Sequence, residues 1–147
     1  MRLSTKGRYG VRALLDVALH NETGPVLLKD IARRQDVSAQ YLEHLISPLI
    51  KAGILRSRRG SRGGISLGRT PEEINLSQVV EILEGSVAPV ECVDNPEVCS
   101  RSGSCVTRDI WVEIKAATVG ILGSTTIEDL VTRHKQKAGS GSGIYSI

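Results

Sequence analysis

Three cysteines lie close together in a chain that otherwise lacks cysteine. Cys92, Cys99 and Cys105 fall within 14 residues, and the other 133 residues contain none. Thiolates at this spacing can ligate an iron–sulfur cluster or a zinc ion, or they can oxidise in pairs. The close C-x2–4-C pairs of most structural zinc sites are absent. A disulfide framework is the weakest explanation, because the count is odd and we expect a cytoplasmic protein.

A second group of residues suited to binding is the segment RRGSRGG at 58–64. Arg58, Arg59 and Arg62 alternate with glycines, so the backbone can approach a phosphate or a groove closely while guanidinium groups reach in. The wider charge distribution agrees, since residues 1–70 carry 13 Lys or Arg against five Asp or Glu, and residues 71–147 carry six against eleven. A basic half joined to an acidic half is typical of a polyanion-binding module attached to another unit. A solvated charged loop is the alternative interpretation.

The elements before this segment predict a helix-turn-helix. A helix over 6–21 comes first, and a second ends near Gln35; Asp36 and Val37 then form a turn, and Ser38 is a good N-cap for a third helix. We expect Pro48 to kink or tighten that third helix. Residues 54–67 then predict a β-hairpin with the arginine-rich loop at its tip, which is the wing of a winged helix.

The remaining sequence predicts an accessory region. The predicted fold is mainly α with a small β-wing: a winged helix-turn-helix DNA-binding domain (1–85), a non-periodic cysteine-bearing loop (86–105), a long dimerisation helix with a short C-terminal helix (106–133), and a flexible tail (134–147). The helix over 106–122 is strongly apolar with few charges, so it needs a partner, and a second copy in a homodimer would serve. No signal peptide or membrane-spanning run is expected.

Other function classes find little support. The cysteine segment contains no His to activate a nucleophile, and the glycines of the basic loop do not match a phosphate-cradling P-loop, so an enzyme is not expected. Aromatic residues make up only 3% of the chain, which disfavours base stacking on single-stranded nucleic acid. Double-stranded DNA is the expected partner.

Several motifs in a fixed order also carry a family resemblance. They run from MRLSTKGRYGVRALLDVAL through DIARRQDVSAQYLEHL, the KAGIL and RRG segments and the three cysteines to Thr107 and Trp111. In this order they resemble the IscR-like family of winged-helix iron–sulfur cluster transcription regulators, over nearly the whole chain to about residue 133. The resemblance implies a protein that senses iron–sulfur status and regulates genes for cluster assembly.

The resemblance also implies roles for particular residues on DNA. Ser38, Gln40, Tyr41 and Glu43 occupy the part of the recognition helix that reads the major groove, and Arg59 occupies the wing position that enters the minor groove. Tyr41 has an alternative role in packing against the first helix. Glu43 is unusual, because a carboxylate repels phosphate and accepts a hydrogen bond only from a base donor such as cytosine N4. In proteins of this kind it is thought to let the cluster state choose between two classes of DNA sequence. The alternative is an exposed helical Glu with no role.

For the cysteines, the resemblance implies a [2Fe-2S] cluster held by Cys92, Cys99 and Cys105. Such a cluster takes four protein ligands. The family places a His three residues after the last Cys, whereas this sequence has Arg108. The fourth ligand is then sought among nearby oxygen donors, Glu91, Asp94, Glu97 and Asp109, or among His20, His44 and His134, which are distant in sequence and would have to come from a partner subunit.

Overall fold

The computed structural model describes residues 2–145, with side chains described for residues 2–140. Its helices are α1 (Thr5–His20), α2 (Leu28–Gln35), α3 (Ala39–Lys51), α4 (Leu76–Glu84), α5 (Glu91–Asp94), α6 (Val106–Gly123) and α7 (Ile127–Tyr145), and strands β1 (Leu55–Arg58) and β2 (Gly64–Leu67) lie between α3 and α4. Single turns of 3-10 helix lie at Asn21–Thr23, Pro71–Glu73 and Pro96–Val98. The predicted fold class, mainly α with a small antiparallel wing, is confirmed.

Short polar side chains determine where several helices begin. The Ser4 hydroxyl accepts a hydrogen bond from the Gly7 backbone N–H, the Ser38 hydroxyl from Tyr41, and the Asn75 side-chain oxygen from Gln78. At the start of α7, Thr126 and Asp129 exchange side-chain and backbone bonds of 3.1 and 2.8 Å. Each cap satisfies an amide that has no partner within its own helix. The predicted cap at Ser38 is confirmed.

One apolar core joins α1 to α2, α3, α4 and α7. Its fully buried side chains include Leu14, Val17, Ile31, Leu42, Leu45, Leu49, Ile54, Ile74, Val79 and Ile127. The start of α7 belongs to this core, because Ile127 is buried in it and its N–H donates to the Ile74 carbonyl at 2.9 Å. The C-terminal helix therefore packs with the DNA-binding half of the chain, although it follows α6 in sequence.

The structure corrects two local expectations. The segment 86–105 is not simply a loop, since it contains α5 and a 3-10 turn that are too short to show periodicity. The tail expected to be flexible over 134–147 is helical to Tyr145, as a continuation of α7 from its packed start. Ser146 and Ile147 lie outside the described residues. Helix α3 continues through Pro48 to Lys51; the N–H missing at Pro48 would have paired with the carbonyl of His44, an exposed residue, where water can satisfy it.

Two glycines let α1 and α4 approach closely. A Cβ on Gly7 would overlap the Glu84 carboxylate, and one on Gly10 would overlap a Leu83 methyl group. The Glu84 carboxylate uses this space to accept hydrogen bonds from the backbone N–H groups of Ser4 and Gly7 at 2.9 and 3.1 Å. An acidic side chain at a helix N-terminus also compensates the helix dipole. The end of α4 therefore holds the beginning of α1.

A buried carboxylate joins α1 to the end of α2. Asp16 is 3% exposed, and it accepts hydrogen bonds from Arg34 Nη2 at 2.6 Å, Arg34 Nε at 2.9 Å and Gln35 Nε2 at 2.9 Å. The same carboxylate raises the pKa of the Arg34 guanidinium, mainly through its hydrogen bonds. Gln35 in turn accepts from Arg12 Nε at 2.9 Å. The hydrogen bonds of the buried charge go to partners on α2, and His20 Nδ1 of α1 lies 3.5 Å from Asp16 Oδ1. The pair with Arg34 therefore fixes the position of α2 on α1.

No helix among residues 2–145 is long and apolar enough to cross a lipid bilayer.

Replacing Asp16 with Ala should lower the free energy of unfolding by about 3 kcal/mol, because it leaves Arg34 and Gln35 without their acceptor. The value is at the low end for a broken buried pair because the Arg34 side chain is 28% exposed and can regain water. Urea unfolding followed by circular dichroism measures the change. Asp30→Ala is the matched control: its carboxylate is 36% exposed and pairs with Arg33 at 3.5 Å, so the loss should be below about 1 kcal/mol. Equal losses in both variants would contradict the role given to Asp16.

Candidate functional site

The turn between α2 and α3 is closed by a residue in the left-handed conformation. Asp36 has φ 56° and ψ 48°, and its N–H donates to the carbonyls of Ala32 and Arg33. Asp tolerates this conformation better than most residues with a side chain. The Val37 N–H then donates to the Ala32 carbonyl at 3.0 Å. These bonds end α2 and set the direction in which α3 leaves, so the predicted helix-turn-helix is formed.

Helix α3 presents its predicted reading residues to solvent. Ser38, Gln40 and Glu43 are exposed, whereas Tyr41 is half-buried. The Ser38 hydroxyl oxygen caps α3, which leaves its proton free to donate. The same face continues with exposed His44 and Lys51 and half-buried Ser47. Sequence reasoning missed these three residues, although their spacing from Gln40 is helical.

The wing is shorter at its tip than predicted. Arg58 lies in β1 opposite Gly64 of β2, so the connecting loop covers residues 59–63. Gly60 has φ 104°, and the Gly63 N–H donates to the Gly60 carbonyl at 3.0 Å. A side chain at Gly63 would overlap the Arg58 carbonyl. Glycine is therefore required here by the tightness of the turn, as well as for approach to a ligand.

The wing arginines are exposed and free to contact a polyanion. Arg58, Arg59 and Arg62 are all exposed, and none of them forms an ion pair with another residue of the described part of the chain. Their charge is therefore not neutralised within the protein. A guanidinium on a glycine-rich loop suits the narrow minor groove of DNA, where the potential is most negative.

A backbone bridge holds the wing to the helix-turn-helix. Val26, just before α2, exchanges two hydrogen bonds with Ile65 of β2, at 2.8 and 2.7 Å. A Cβ on Gly64 would lie 2.6 Å from the Val26 carbonyl oxygen, so this approach also requires glycine. The bridge therefore fixes the position of the wing relative to the helix-turn-helix.

The three thiols are accessible to solvent but do not lie close together. Cys92 in α5 is half-buried, Cys99 is exposed, and Cys105 at the start of α6 is half-buried. Their chemistry suits a thiolate site, since each can be reached from solvent. Among the described residues, however, no three side chains of His, Cys, Asp or Glu lie close enough together to hold a metal ion. Ligation of a metal or cluster by all three would require the segment to rearrange.

Two interactions fasten the cysteine segment to α6. Arg108 Nε donates to the Cys92 carbonyl at 3.0 Å, and Lys115 Nζ forms an ion pair with Asp94 Oδ1 at 2.5 Å. Hydrogen bonds from Lys115 and Ser86 lower the pKa of the Asp94 carboxyl. Arg108, at the position where the family has a His, therefore contacts the Cys92 carbonyl through its side chain and the Cys105 thiol through its backbone N–H.

The Cys105 thiol lies next to groups that stabilise its thiolate. Its Sγ is 3.1 Å from the Thr107 hydroxyl oxygen. That hydroxyl is the main reason why the pKa of the thiol is lowered, and the backbone N–H of Arg108 adds to the effect. A thiol at a helix N-terminus is commonly activated in this way.

Helix α6 has no buried residue anywhere along its 18 residues. Val106 is 75% exposed, Ile121 68% and Ile110 50%, and together with Ala117 their spacing places them on one stripe. A groove between α1, α4 and α6 adjoins this helix; its apolar lining includes Leu3, Val11, Leu76, Val80 and Leu122. A stripe of this kind is typical of an association surface.

The comparisons with known proteins concern nearly the whole chain. Residues 3–133 match the model of the family described as Rrf2, iron-dependent transcriptional regulator. Protein rrf2 of Nitratidesulfovibrio vulgaris is 45% identical over 89% of this chain and 87% of its own length. The HTH-type transcriptional regulator IscR of Photorhabdus laumondii is 42% identical over 92% of this chain and 82% of its own. The solved structure of CymR, the global cysteine regulator of Bacillus subtilis, superposes with a TM-score of 0.77 at 38% identity, covering 90% of this chain and 98% of that one.

Thr107→Val should slow alkylation of Cys105 by iodoacetamide at pH 7. The substitution removes the hydroxyl that stabilises the thiolate, so the pKa of the thiol rises and less thiolate is present at that pH. Mass spectrometry of each cysteine-containing peptide measures the rates. Cys99 is the internal control, because its environment is unchanged. A Cys105 rate that stays equal to that of the parent protein would show that Thr107 does not activate the thiol.

Proposed function

The chain belongs to the Rrf2 family of transcriptional regulators, and from this premise we propose that it binds duplex DNA as a homodimer and responds to a signal received by its cysteine segment. It is a regulator and not an enzyme. The main support is the Val26–Ile65 bridge, which holds the wing against the helix-turn-helix and so keeps α3 and the wing in a fixed relative position. The cytoplasm is the compartment in which such a protein meets its DNA.

On DNA, α3 would lie in the major groove and the wing in the minor groove. Ser38, Gln40, Tyr41 and Glu43 supply hydrogen-bonding groups on the first turns of α3, where a helix-turn-helix reads base edges. Arg58, Arg59 and Arg62 supply uncompensated positive charge on the wing. Glu43 lies among groups that favour DNA, so its carboxylate acts as a filter that tolerates only sites with a base donor within reach.

The proposed dimer forms through α6. The apolar stripe of α6 and the groove lined by Thr118 and Leu122 belong to the same helix, so one partner would cover both. In a two-fold symmetric pair each α6 covers the same surface on the other subunit. The two recognition helices would then read a pseudo-palindromic site with half-sites separated by whole helical turns.

For the signal, we favour a [2Fe-2S] cluster held by Cys92, Cys99 and Cys105. The cluster, when bound, supplies a redox-active and labile group whose presence reports iron–sulfur status. The protein's contribution is three accessible thiols on a short segment joined to α6 by Arg108 and Lys115. Arg108 cannot be the fourth ligand, because a guanidinium stays protonated and has no lone pair to give. The proposed regulated genes are those for cluster assembly.

A second candidate is thiol-based sensing without a cluster. It is favoured by the lowered pKa of Cys105 together with the separation of the three thiols. A thiolate of this kind oxidises readily and can form a mixed or intramolecular disulfide. The two candidates share the same residues and differ in the chemical species that these residues hold.

Arg59→Ala should weaken binding to the preferred duplex by about 1–3 kcal/mol, because it removes a guanidinium from the minor groove. Fluorescence anisotropy at fixed salt, with a duplex selected from genomic fragments, measures the change. Arg133→Ala, an exposed arginine of α7 away from the wing, is the matched control and should bind as the parent does. Glu43→Ala provides a contrast: sequence selection should return a broader motif with little loss on the best site. Unchanged affinity for Arg59→Ala would remove the wing from the reading surface.

Replacing all three cysteines with Ala should leave a folded dimer, since the core contains no cysteine. Protein purified without oxygen should lose its visible charge-transfer absorption and its iron, and its DNA preference should no longer respond to the cluster. Arg108→Ala, next to the segment but unable to ligate, should retain the iron. A parent protein without iron, whose DNA binding responds to oxidant through the cysteines, would support the thiol sensor instead. Iron retained by the triple variant would contradict a cluster held by the cysteines, and DNA binding that still responds to oxidant would contradict the thiol sensor.

A further inference from the structure

A cleft lies between α1, the end of α2 and α7. Its volume is about 320 Å³, and it is lined by Arg12, Leu15, Leu19, His20, Arg34 and His134, together with Asp16 and Gln35. Of these, Arg12 also lines the groove beside α6. Neither the DNA-reading residues nor the cysteines take part in it. The lining residues come from three helices, so a ligand here would contact the first helix of the helix-turn-helix and the C-terminal helix at once.

The cleft has a surplus of positive charge. Asp16 is the one carboxylate among its lining residues, and Arg34 neutralises it through bonds of 2.6 and 2.9 Å. Arg12 uses Nε for Gln35 at 2.9 Å, and no hydrogen bond within the described residues engages its two Nη groups. The Arg12 guanidinium lies over the Tyr9 ring at 5.0 Å, and no carboxylate of the described residues pairs with it. Its positive charge at this end of the cleft therefore meets only an aromatic ring.

Two imidazoles add donors at other points of the wall. His20 Nδ1 lies 2.8 Å from the Asp16 carbonyl oxygen, which leaves Nε2 available to a ligand. His134 enters from α7. Arg12 and His20 are eight residues apart on α1, so roughly 12 Å of helix separates their backbones. Leu15 and Leu19 lie between them and form an apolar wall on the same face of α1.

We propose that this cleft is a binding site for a small organic carboxylate that carries a short aliphatic chain. The guanidinium and imidazole groups would hold the carboxylate, and the aliphatic chain would cover Leu15 and Leu19. The cleft volume of about 320 Å³ lies at the lower end of the range for small-molecule sites, which is about 300–1,000 Å³.

The site has a direct route to the DNA-binding surface. Arg34 and Gln35 are the last residues of α2 before the left-handed turn at Asp36, and α7 is fastened at its start to the common core. A ligand that holds α7 against the end of α2 changes the freedom of the turn that orients α3. This regulatory role rests on the proposed function, whereas binding of the carboxylate does not.

Isothermal titration of the full chain with pentanoate tests the site. Saturable binding is expected, and it should be at least about tenfold weaker, or about 1.4 kcal/mol, in Arg12→Gln and in His134→Ala. Lys135→Ala, next to His134 but outside the cleft, is the matched control and should bind pentanoate as the parent does. Both tested side chains are exposed, so the variants should fold, and circular dichroism verifies this. No saturable heat, or equal affinity in all variants, would overturn the proposal.

Two further probes separate the parts of the ligand. Pentan-1-ol lacks the charge and inorganic phosphate lacks the aliphatic chain, so each should bind much more weakly than pentanoate. Equal binding of either would overturn a site for an organic carboxylate. In a DNA titration, pentanoate should shift Kd at least about fivefold for the parent protein and not for His134→Ala. Pentanoate binding without a shift overturns only the regulatory role; failure to bind any duplex, with pentanoate still bound, overturns only the proposed function.

Discussion

The buried carboxylate of Asp16 is the interaction on which the arrangement of the helix-turn-helix depends. A charge that is 3% exposed would be very costly without partners. Its oxygens are satisfied only when α2 lies where Arg34 and Gln35 can reach them. An apolar contact between the same helices would tolerate a shift along the helix axis, whereas a bidentate guanidinium–carboxylate pair does not. The charge pair therefore contributes geometry, and the apolar core contributes most of the free energy of folding.

Further contacts fix the positions of α4 and α3 relative to α1. Towards the C-terminus of the chain, Gly7 and Gly10 let α4 approach, and Glu84 caps the first turn of α1. Towards the DNA-reading side, the left-handed turn at Asp36 converts the position of α2 into the direction of α3. The cysteine segment and α6 are built differently, with a few polar contacts and no buried side chain in α6. A well-packed helix-turn-helix half is thus combined with a weakly packed cysteine segment and α6, the part of the chain that a ligand or a partner would reorder at lower cost.

The sequence predicted what depends on neighbouring residues. The cap at Ser38, the wing and the long apolar helix follow from local patterns, and the structure contains all three. Local sequence patterns could not reveal the partner of Asp16, since Arg34 is 18 residues away and many arginines are available. Nor could they show that α7 rejoins the core through Ile127. Helix α5 was missed because four residues give no periodicity, and whether three thiols meet depends on tertiary contacts that spacing does not encode.

The exposed stripe of α6 would link the lifetime of the protein to its own abundance if the proposed dimer forms. In that dimer, Val106, Ile110 and Ile121 would be covered only when a second copy is present, so the equilibrium between paired and single chains would follow mass action. At low expression, single chains would expose a hydrophobic surface of the kind that chaperones and proteases act on. Turnover would then fall as expression rises.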